Sequence, residues 1–384
     1  MPALLPHPDP DGLLEYSVVY TDRALNHMSQ RFQGVMREIS RIVKKAYGAG
    51  AAIIVPGSGT FAMEAVARQF ATGRSCLVLR NGWFSFRWSQ ILEMGQISSS
   101  LAILKARRTG PGSQTPFAPA PLAEVLHTIH TERPAVVFAP HVETASGILL
   151  PDGYLEAVGK AVREVDGLFV LDCIASGTIW VDMDACNVDV LISAPQKGWS
   201  GPPCCGLVAL GQRARERITQ TRSTSFACDL LKWLQIMESY EQGGFAYHAT
   251  MPTDALAQVC EAMQQTEKFG FERAAEAARL LGSEVRSLLE REGYPSVAAA
   301  GFGAPGVVVS YTSRADIQSG KAFRDIGLQI AAGVPLQCDE GADFQTFRIG
   351  LFGLDKLMDR ARTVGSFEAA LRRVSRPPAA AAAG

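Results

Sequence analysis

The chain is poor in lysine: it carries nine lysines against 28 arginines in 384 residues. It contains no uninterrupted apolar run of about 18 residues, the least a membrane-spanning helix needs, so no span is expected. The formal net charge is −1, which excludes a broad electrostatic attraction to nucleic acid or an anionic membrane surface. Any anion site must therefore be local. None of the eight cysteines has metal-ligand spacing, and only Cys204 and Cys205 are close in sequence. Neighbours in sequence rarely bridge, so no metal and free thiols are the expectation, which fits a reducing cytoplasm. The N-terminus is rich in Pro, Asp and His and has no apolar leader, so secretion is not expected.

What is present reads as a globular enzyme with 47% hydrophobic and 20% charged residues. The length exceeds what one compact core usually holds, so two domains are expected. Residues 1–25, with Pro2, Pro6, Pro8 and Pro10, read as an irregular arm. Residues 26–47 have helical spacing, with Phe32, Val35, Met36, Ile39, Ile42 and Val43 on one face. Short apolar strands then alternate with helices: 52–55, 75–79, 135–139, 168–171, 188–192 and 206–210. This alternation predicts an α/β fold with a mostly parallel sheet covered on both faces. Near residue 255 the pattern changes to long helices over 254–292. Strands at 307–310 and 346–349 follow, with a helix within 321–332 and another over 354–373. The expected organisation is an arm (1–25), a large α/β domain (26–255), a smaller α+β domain (256–376) and a low-complexity tail (377–384).

In a chain that uses arginine for most of its positive charge, Lys197 stands out. A short strand delivers it into the loop Ser193-Ala194-Pro195-Gln196-Lys197-Gly198, and it is the sole lysine between Lys160 and Lys232. Lysine can lose its proton and form a Schiff base, which arginine cannot. Gly57-Ser58-Gly59-Thr60 follows a strand and opens a helix. It is either a phosphate cradle or a plain turn with a helix cap. Asp172, at the end of another strand, could hold a cation such as a protonated pyridine nitrogen, or cap a helix. Arg348, in an apolar strand, needs an anion, either a substrate carboxylate or a structural partner. Phe84 could stack on a flat ring or lie in the core. His141 and Glu143 follow a strand end and could be structural hydrogen-bonding residues. A phosphate cradle, an aromatic, an acid, a lysine and a carboxylate-binding arginine, all at strand ends, together meet the needs of pyridoxal 5′-phosphate.

With these residues in hand, the chain resembles the class V aminotransferases of fold type I, and within them the alanine–glyoxylate and serine–pyruvate branch. The resemblance runs over about residues 26–373. It is carried by Gly57 to Ala65, Leu171 to Ser176, Ser193 to Lys197, Tyr247 to Pro252 and Phe347 to Gly350. It implies pyridoxal 5′-phosphate as cofactor, with Lys197 as its Schiff-base anchor and proton shuttle and Asp172 paired to the ring nitrogen. It further implies Ser58, Gly59, Thr60 and Gln196 at the phosphate, Phe84 and Ile174 on the two ring faces, and Thr144 near the phenolic oxygen. Tyr247 and Thr250 would reach the phosphate of a neighbouring subunit, which implies a homodimer with shared sites. Arg348 would bind the substrate carboxylate. The implied reaction moves an amino group from a small L-amino acid to a 2-oxo acid such as glyoxylate or pyruvate, by a ping-pong mechanism. The arm departs from the family, reading Leu14-Glu15-Tyr16-Ser17 where a Gly-Pro-rich segment is usual. Two other readings remain. One is a cysteine desulfurase or selenocysteine lyase using Cys338, whose acidic neighbours would weaken it as a nucleophile. The other is a non-catalytic cofactor-binding protein.

Overall fold

The architecture is taken from a computed structural model that describes residues 8–375. The first seven residues of the expected arm and the tail at 377–384 lie outside the described residues. From residue 8 to residue 29 the chain has no helix or strand. This part of the arm is tied to the body where the backbone N–H of Leu25 donates to Asp254 at 3.0 Å.

The chain then alternates α1 (Gln30–Tyr47), β1 (Ala51–Pro56), α2 (Gly59–Phe70), β2 (Ser75–Arg80), α3 (Trp83–Met94) and β3 (Ser100–Lys105). A small ribbon of β4 (Arg107–Arg108) and β5 (Phe117–Ala118) comes next, then α4 (Leu122–Glu132) and β6 (Val136–Pro140). A second ribbon, β7 (Val142–Glu143) with β8 (Ile148–Leu149), leads to α5 (Asp152–Glu164), β9 (Leu168–Asp172), β10 (Val190–Ser193) and β11 (Cys205–Leu210). The helices α6 (Gln212–Arg217), α7 (Leu230–Glu241), α8 (Thr253–Phe269) and α9 (Phe271–Arg291) follow. The remainder is β12 (Val307–Tyr311), α10 (Ala315–Gln318), α11 (Lys321–Arg324), β13 (Ala331–Ala332), β14 (Thr346–Gly350), α12 (Leu354–Met358) and α13 (Arg360–Ser375).

The main sheet has seven strands in the order β1-β11-β10-β9-β6-β2-β3. Every neighbouring pair is parallel except those of β11, which runs against both β1 and β10. The central strands are buried along their whole length, as expected of a sheet covered on both faces. The expected mostly parallel α/β sheet is therefore what forms. A second, antiparallel sheet of β12, β14 and β13 anchors the later part of the chain.

Local chemistry accounts for several element ends. α1 begins at Gln30 rather than near residue 26 because the Ser29 hydroxyl accepts the Phe32 N–H at 3.1 Å and caps the helix there. The long helical stretch expected after 254 is broken at Gly270, whose φ of 100° ends α8 and starts α9. Within 321–332 only Lys321–Arg324 is helical, and Ala331–Ala332 pairs instead with β14. The helix expected over 354–373 is interrupted at Asp359, giving α12 and α13.

Two apolar cores follow from these elements. The first fills the space around the main sheet, and the second lies between α9, α13, β12 and β14. α8 buries Leu256, Val259, Cys260 and Met263 in the first core, whereas α9 buries Ala274, Leu281, Val285 and Leu288 in the second. The chain thus passes from one core to the other at Gly270. A third apolar cluster, including Val142, Ala145, Ala175, Val309 and Leu336, joins the two, with Phe84 and Phe352 packed at its rim.

α2 sits unusually close to the sheet, since a Cβ on Gly206 of β11 would stand 2.3 Å from the Ala62 Cβ. Gly206→Ala should therefore destabilise the protein by about 1–3 kcal/mol, the usual cost of overpacking, and push α2 outward. Chemical denaturation of the two proteins checks this, and an unchanged midpoint would contradict it.

Candidate active site

β1, β2, β6, β9 and β10 run the same way, so their carboxyl ends share one edge of the sheet. The turns that leave those strands carry most of the candidate residues, as expected for an open α/β sheet.

At the end of β1 the chain turns through Gly57, whose φ of 116° is a conformation that favours glycine. Ser58 occupies the N-cap position of α2, yet its side chain makes no capping hydrogen bond. The first N–H groups of the helix are therefore left for another acceptor. A Cβ on Gly59 would lie 2.6 Å from the Ile174 Cδ1, so the backbone passes directly beside that side chain. The Thr60 hydroxyl accepts a hydrogen bond from Arg87 Nη1 at 2.9 Å.

Asp172 ends β9 and is 7% exposed. One of its oxygens accepts the Ile174 N–H at 2.9 Å. The residues after it form turns rather than a helix, so it caps no helix. Burial pushes its pKa up to about 7; the Ile174 N–H works against the rise, Glu143 adds to it and Arg87 opposes it. Among the described residues no cation lies within ion-pair distance of this carboxylate, and a protonated ring nitrogen would supply one.

Ser193 ends β10, and its hydroxyl accepts from Tyr47 Oη at 3.1 Å and Trp199 Nε1 at 3.2 Å. The chain then folds back so that Gly201 N–H donates to the Pro195 carbonyl at 3.0 Å. A Cβ on Gly198 would stand 1.9 Å from the Gly177 carbonyl oxygen, so the lysine turn packs directly on the turn that follows Asp172. Lys197 is partly buried, and its Nζ lies 4.8 Å from the centre of the Phe352 ring. Burial, and then the positive charge of Arg348, lower its pKa. Both effects favour the free amine, the nucleophilic form.

Arg348, on β14, has its guanidinium 5.6 Å from the centre of the Phe84 ring, and its Nε donates to the Ala332 carbonyl at 2.8 Å. Among the described residues no carboxylate lies within ion-pair distance of it, so it is not one half of a structural salt bridge. Phe84 itself is fixed by Glu143. That buried carboxylate accepts the N–H groups of Phe84 (3.2 Å) and Ser85 (2.8 Å), the Ser85 hydroxyl (2.7 Å) and the Ala145 N–H (2.9 Å). Glu143 is thus a structural residue at the start of α3. Thr144 is buried beside it, in the turn between Glu143 and Ala145. His141 is structural too: its Nδ1 is 2.7 Å from the Ser176 hydroxyl, and burial pushes its pKa down to about 4.

The fold therefore brings Ser58, Gly59, Thr60, Phe84, Asp172, Ile174, Lys197 and Arg348 to one edge. Gln196 is exposed. Tyr247 and Thr250 are exposed as well, and their hydroxyls lie 3.0 Å from each other. Within one chain they are not joined to the cradle. Cys338 is buried; its thiol donates to the Arg80 carbonyl at 3.4 Å, and burial drives its pKa up to about 12. Sequence reasoning missed Arg87 and Phe352. Arg87 lies one helical turn after Phe84, a spacing that puts both on one face and could have drawn attention to it.

No protein-family model matches the chain. It is 24% identical over 351 residues to the alanine–glyoxylate aminotransferase of Rattus norvegicus, covering 89% of this chain and 80% of the relative. It is 27% identical over 338 residues to the 2-aminoethylphosphonate–pyruvate transaminase of Syntrophobacter fumaroxidans, covering 85% of this chain and 84% of the relative. The solved structure of ureidoglycine–glyoxylate aminotransferase from Bacillus subtilis has the same fold, with a TM-score of 0.76 at 20% identity over 96% of this chain and 90% of that one. By its fold and its relatives, this chain resembles the class V aminotransferases of fold type I, enzymes that depend on pyridoxal 5′-phosphate.

Proposed function

We propose that the protein transfers an amino group from a small L-amino acid to a 2-oxo acid such as glyoxylate or pyruvate, in two half-reactions that use Lys197. The observation that carries this reading is the pairing of Lys197, an amine with a lowered pKa, with Arg348, a guanidinium that has no carboxylate partner. An amino acid and a 2-oxo acid both bring a carboxylate beside the carbon that reacts, and Arg348 can take it in a bidentate fork.

Pyridoxal phosphate, when bound, supplies an aldehyde for an amine and a ring that draws electrons from the substrate α-carbon. The chain's own residues do the rest. Ser58, Gly59, Thr60 and Gln196 offer donors to its phosphate. Phe84 and Ile174 would cover the two ring faces, Thr144 would lie near the phenolic oxygen, and Asp172 would keep a proton on the ring nitrogen. Lys197 Nζ takes the α-proton and returns it to the cofactor carbon, acting as base and then acid. Phe352 occupies space beside the amine, which favours a short substrate side chain.

Tyr247 and Thr250 are read as donors to the phosphate of a second copy, in a homodimer with shared sites. Tyr247 is 52% exposed, in company with Phe226 and Phe245. The cytoplasm is the compartment that fits eight free, buried cysteines. Among the described residues, no helix is long and apolar enough to cross a membrane. Cysteine desulfurase chemistry is disfavoured because the Cys338 thiol is buried and held protonated, which removes its nucleophile. The non-catalytic reading gains no observation, since none of the expected catalytic positions is vacant.

Three outcomes test this reading. A panel of amino acids against glyoxylate and pyruvate should reveal an active pair, and Lys197→Ala should lower its rate roughly 10³-fold or more. Normal turnover in that variant would sink the assignment. For the ligand-free protein, Asp172 has a folded pKa above its unfolded value, so its contribution is present at low pH and is lost as pH rises towards 7. Relative to Asp172→Asn, the wild type should lose on the order of 2 kcal/mol between pH 5 and pH 8 in denaturant titrations; no difference in slope would contradict the buried, unpaired carboxylate. Finally, Tyr247→Phe should weaken cofactor retention roughly fivefold to tenfold, the effect of one hydrogen bond. Sedimentation should report a dimer, and a monomer with full cofactor affinity would refute the shared site.

A further inference from the structure

We infer that Arg87 binds the phosphate group of the cofactor and supplies the positive charge that the rest of the cradle lacks. This rests on the cofactor reading given above. A phosphate monoester carries about −1.5 to −2 charges near neutral pH, whereas a helix N-terminus offers only about half a positive charge. Ser58, Gly59, Thr60, Gln196, Tyr247 and Thr250 are all neutral donors. Lys197 and Arg348 are placed for the aldehyde and for the substrate carboxylate. A dianion held by neutral groups alone would sit in a partly buried site with much of its charge uncompensated.

Arg87 lies where that charge is needed. It is on the first turns of α3, partly buried, and its Nη1 donates to the Thr60 hydroxyl at 2.9 Å. Among the described residues it is the only cation hydrogen-bonded to a residue of the cradle, and no carboxylate lies within ion-pair distance of it. Its guanidinium also lies 5.3 Å from the centre of the Phe84 ring, which fixes its direction from the side. The bond to Thr60 uses one of the five N–H donors of the fork, which leaves others for an anion seated on the N-terminus of α2. Glu143 holds the start of α3 and so sets the position of Arg87 as well as that of Phe84.

A purely structural Arg87 would support Thr60 and Phe84 whether or not the bound aldehyde carries a phosphate. The test exploits that difference. Apo-protein is titrated with pyridoxal 5′-phosphate and, separately, with pyridoxal, following the absorbance of the lysine-bound aldehyde. Arg87→Met should lose roughly 10- to 100-fold in affinity for the phosphorylated aldehyde, the scale of a charge-assisted hydrogen bond. Its affinity for pyridoxal should change less than about threefold on the same argument, and that binding also shows that the variant has folded. Arg87→Lys keeps the charge without the fork, so it should recover part of the loss, and it stands in should the Met variant fail to fold. An equal loss for the two aldehydes, or full affinity in Arg87→Met, would overturn the assignment. If the wild type forms no Lys197-dependent band with either aldehyde, the cofactor reading itself falls and this assignment with it.

Discussion

Three cationic side chains share one corner of this protein, and among the described residues none of them has a carboxylate within ion-pair distance. Two of them lie near the ring of Phe84, Arg87 at 5.3 Å and Arg348 at 5.6 Å from its centre. The third, Lys197, has its pKa lowered in part by Arg348. Like charges at partly buried positions repel one another, and the fold tolerates them through ring faces, one hydroxyl and one backbone carbonyl. The nearby acids compensate only from a distance: Glu143 raises the pKa of Arg348 while its oxygens hold the start of α3, and Arg87 lowers that of Asp172 at the carboxyl end of β9. On the proposed reading, such a site gains stability when anions bind and keeps one carboxylate for a positive ring.

Such an arrangement needs a rigid frame, and much of the rigidity comes from close backbone contacts. Gly198 against the Gly177 carbonyl fixes the lysine turn relative to the turn that follows Asp172. Gly206 lets α2 settle onto β11, which sets the height of the cradle. A single segment of the second sheet supplies the opposite wall. It carries Arg348 and Phe352, and the Leu354 N–H then donates to the Ser200 hydroxyl at 2.8 Å in the lysine loop. Arg348 and the lysine loop are thereby coupled through seven residues of chain, 348 to 354. Any shift of this segment moves both.

What could be read in the sequence follows from how local each signal is. Gly57 to Thr60, Asp172 and Lys197 each follow directly on a strand, so strand pattern and turn chemistry were enough to put them at one sheet edge. The central strands were legible because they are continuously apolar. β3 has a weak sequence signal because its side chains are only partly covered, and α4 and α7 carry no motif that marks them in the sequence. The apolar face of α8 was visible, but a face does not reveal which core receives it. Arg87 is one of 28 arginines, and apart from its place one helical turn after Phe84 nothing local separates it from those that solvate the surface. Its meaning depends on Thr60, which is 27 residues away in sequence. The same holds for Phe352, whose contact with Lys197 exists only once the second sheet has folded. For Tyr247 and Thr250 even the folded chain is not enough, because their proposed partner is a second copy.

The central claim is that Lys197, alone among nine lysines, forms the covalent link to the cofactor. Borohydride reduction of the cofactor-loaded protein, followed by peptide mass spectrometry, tests this most directly. The account predicts one pyridoxyl-phosphate adduct per chain, on the peptide containing Lys197. An adduct on another lysine, or none at all in loaded protein, would contradict it.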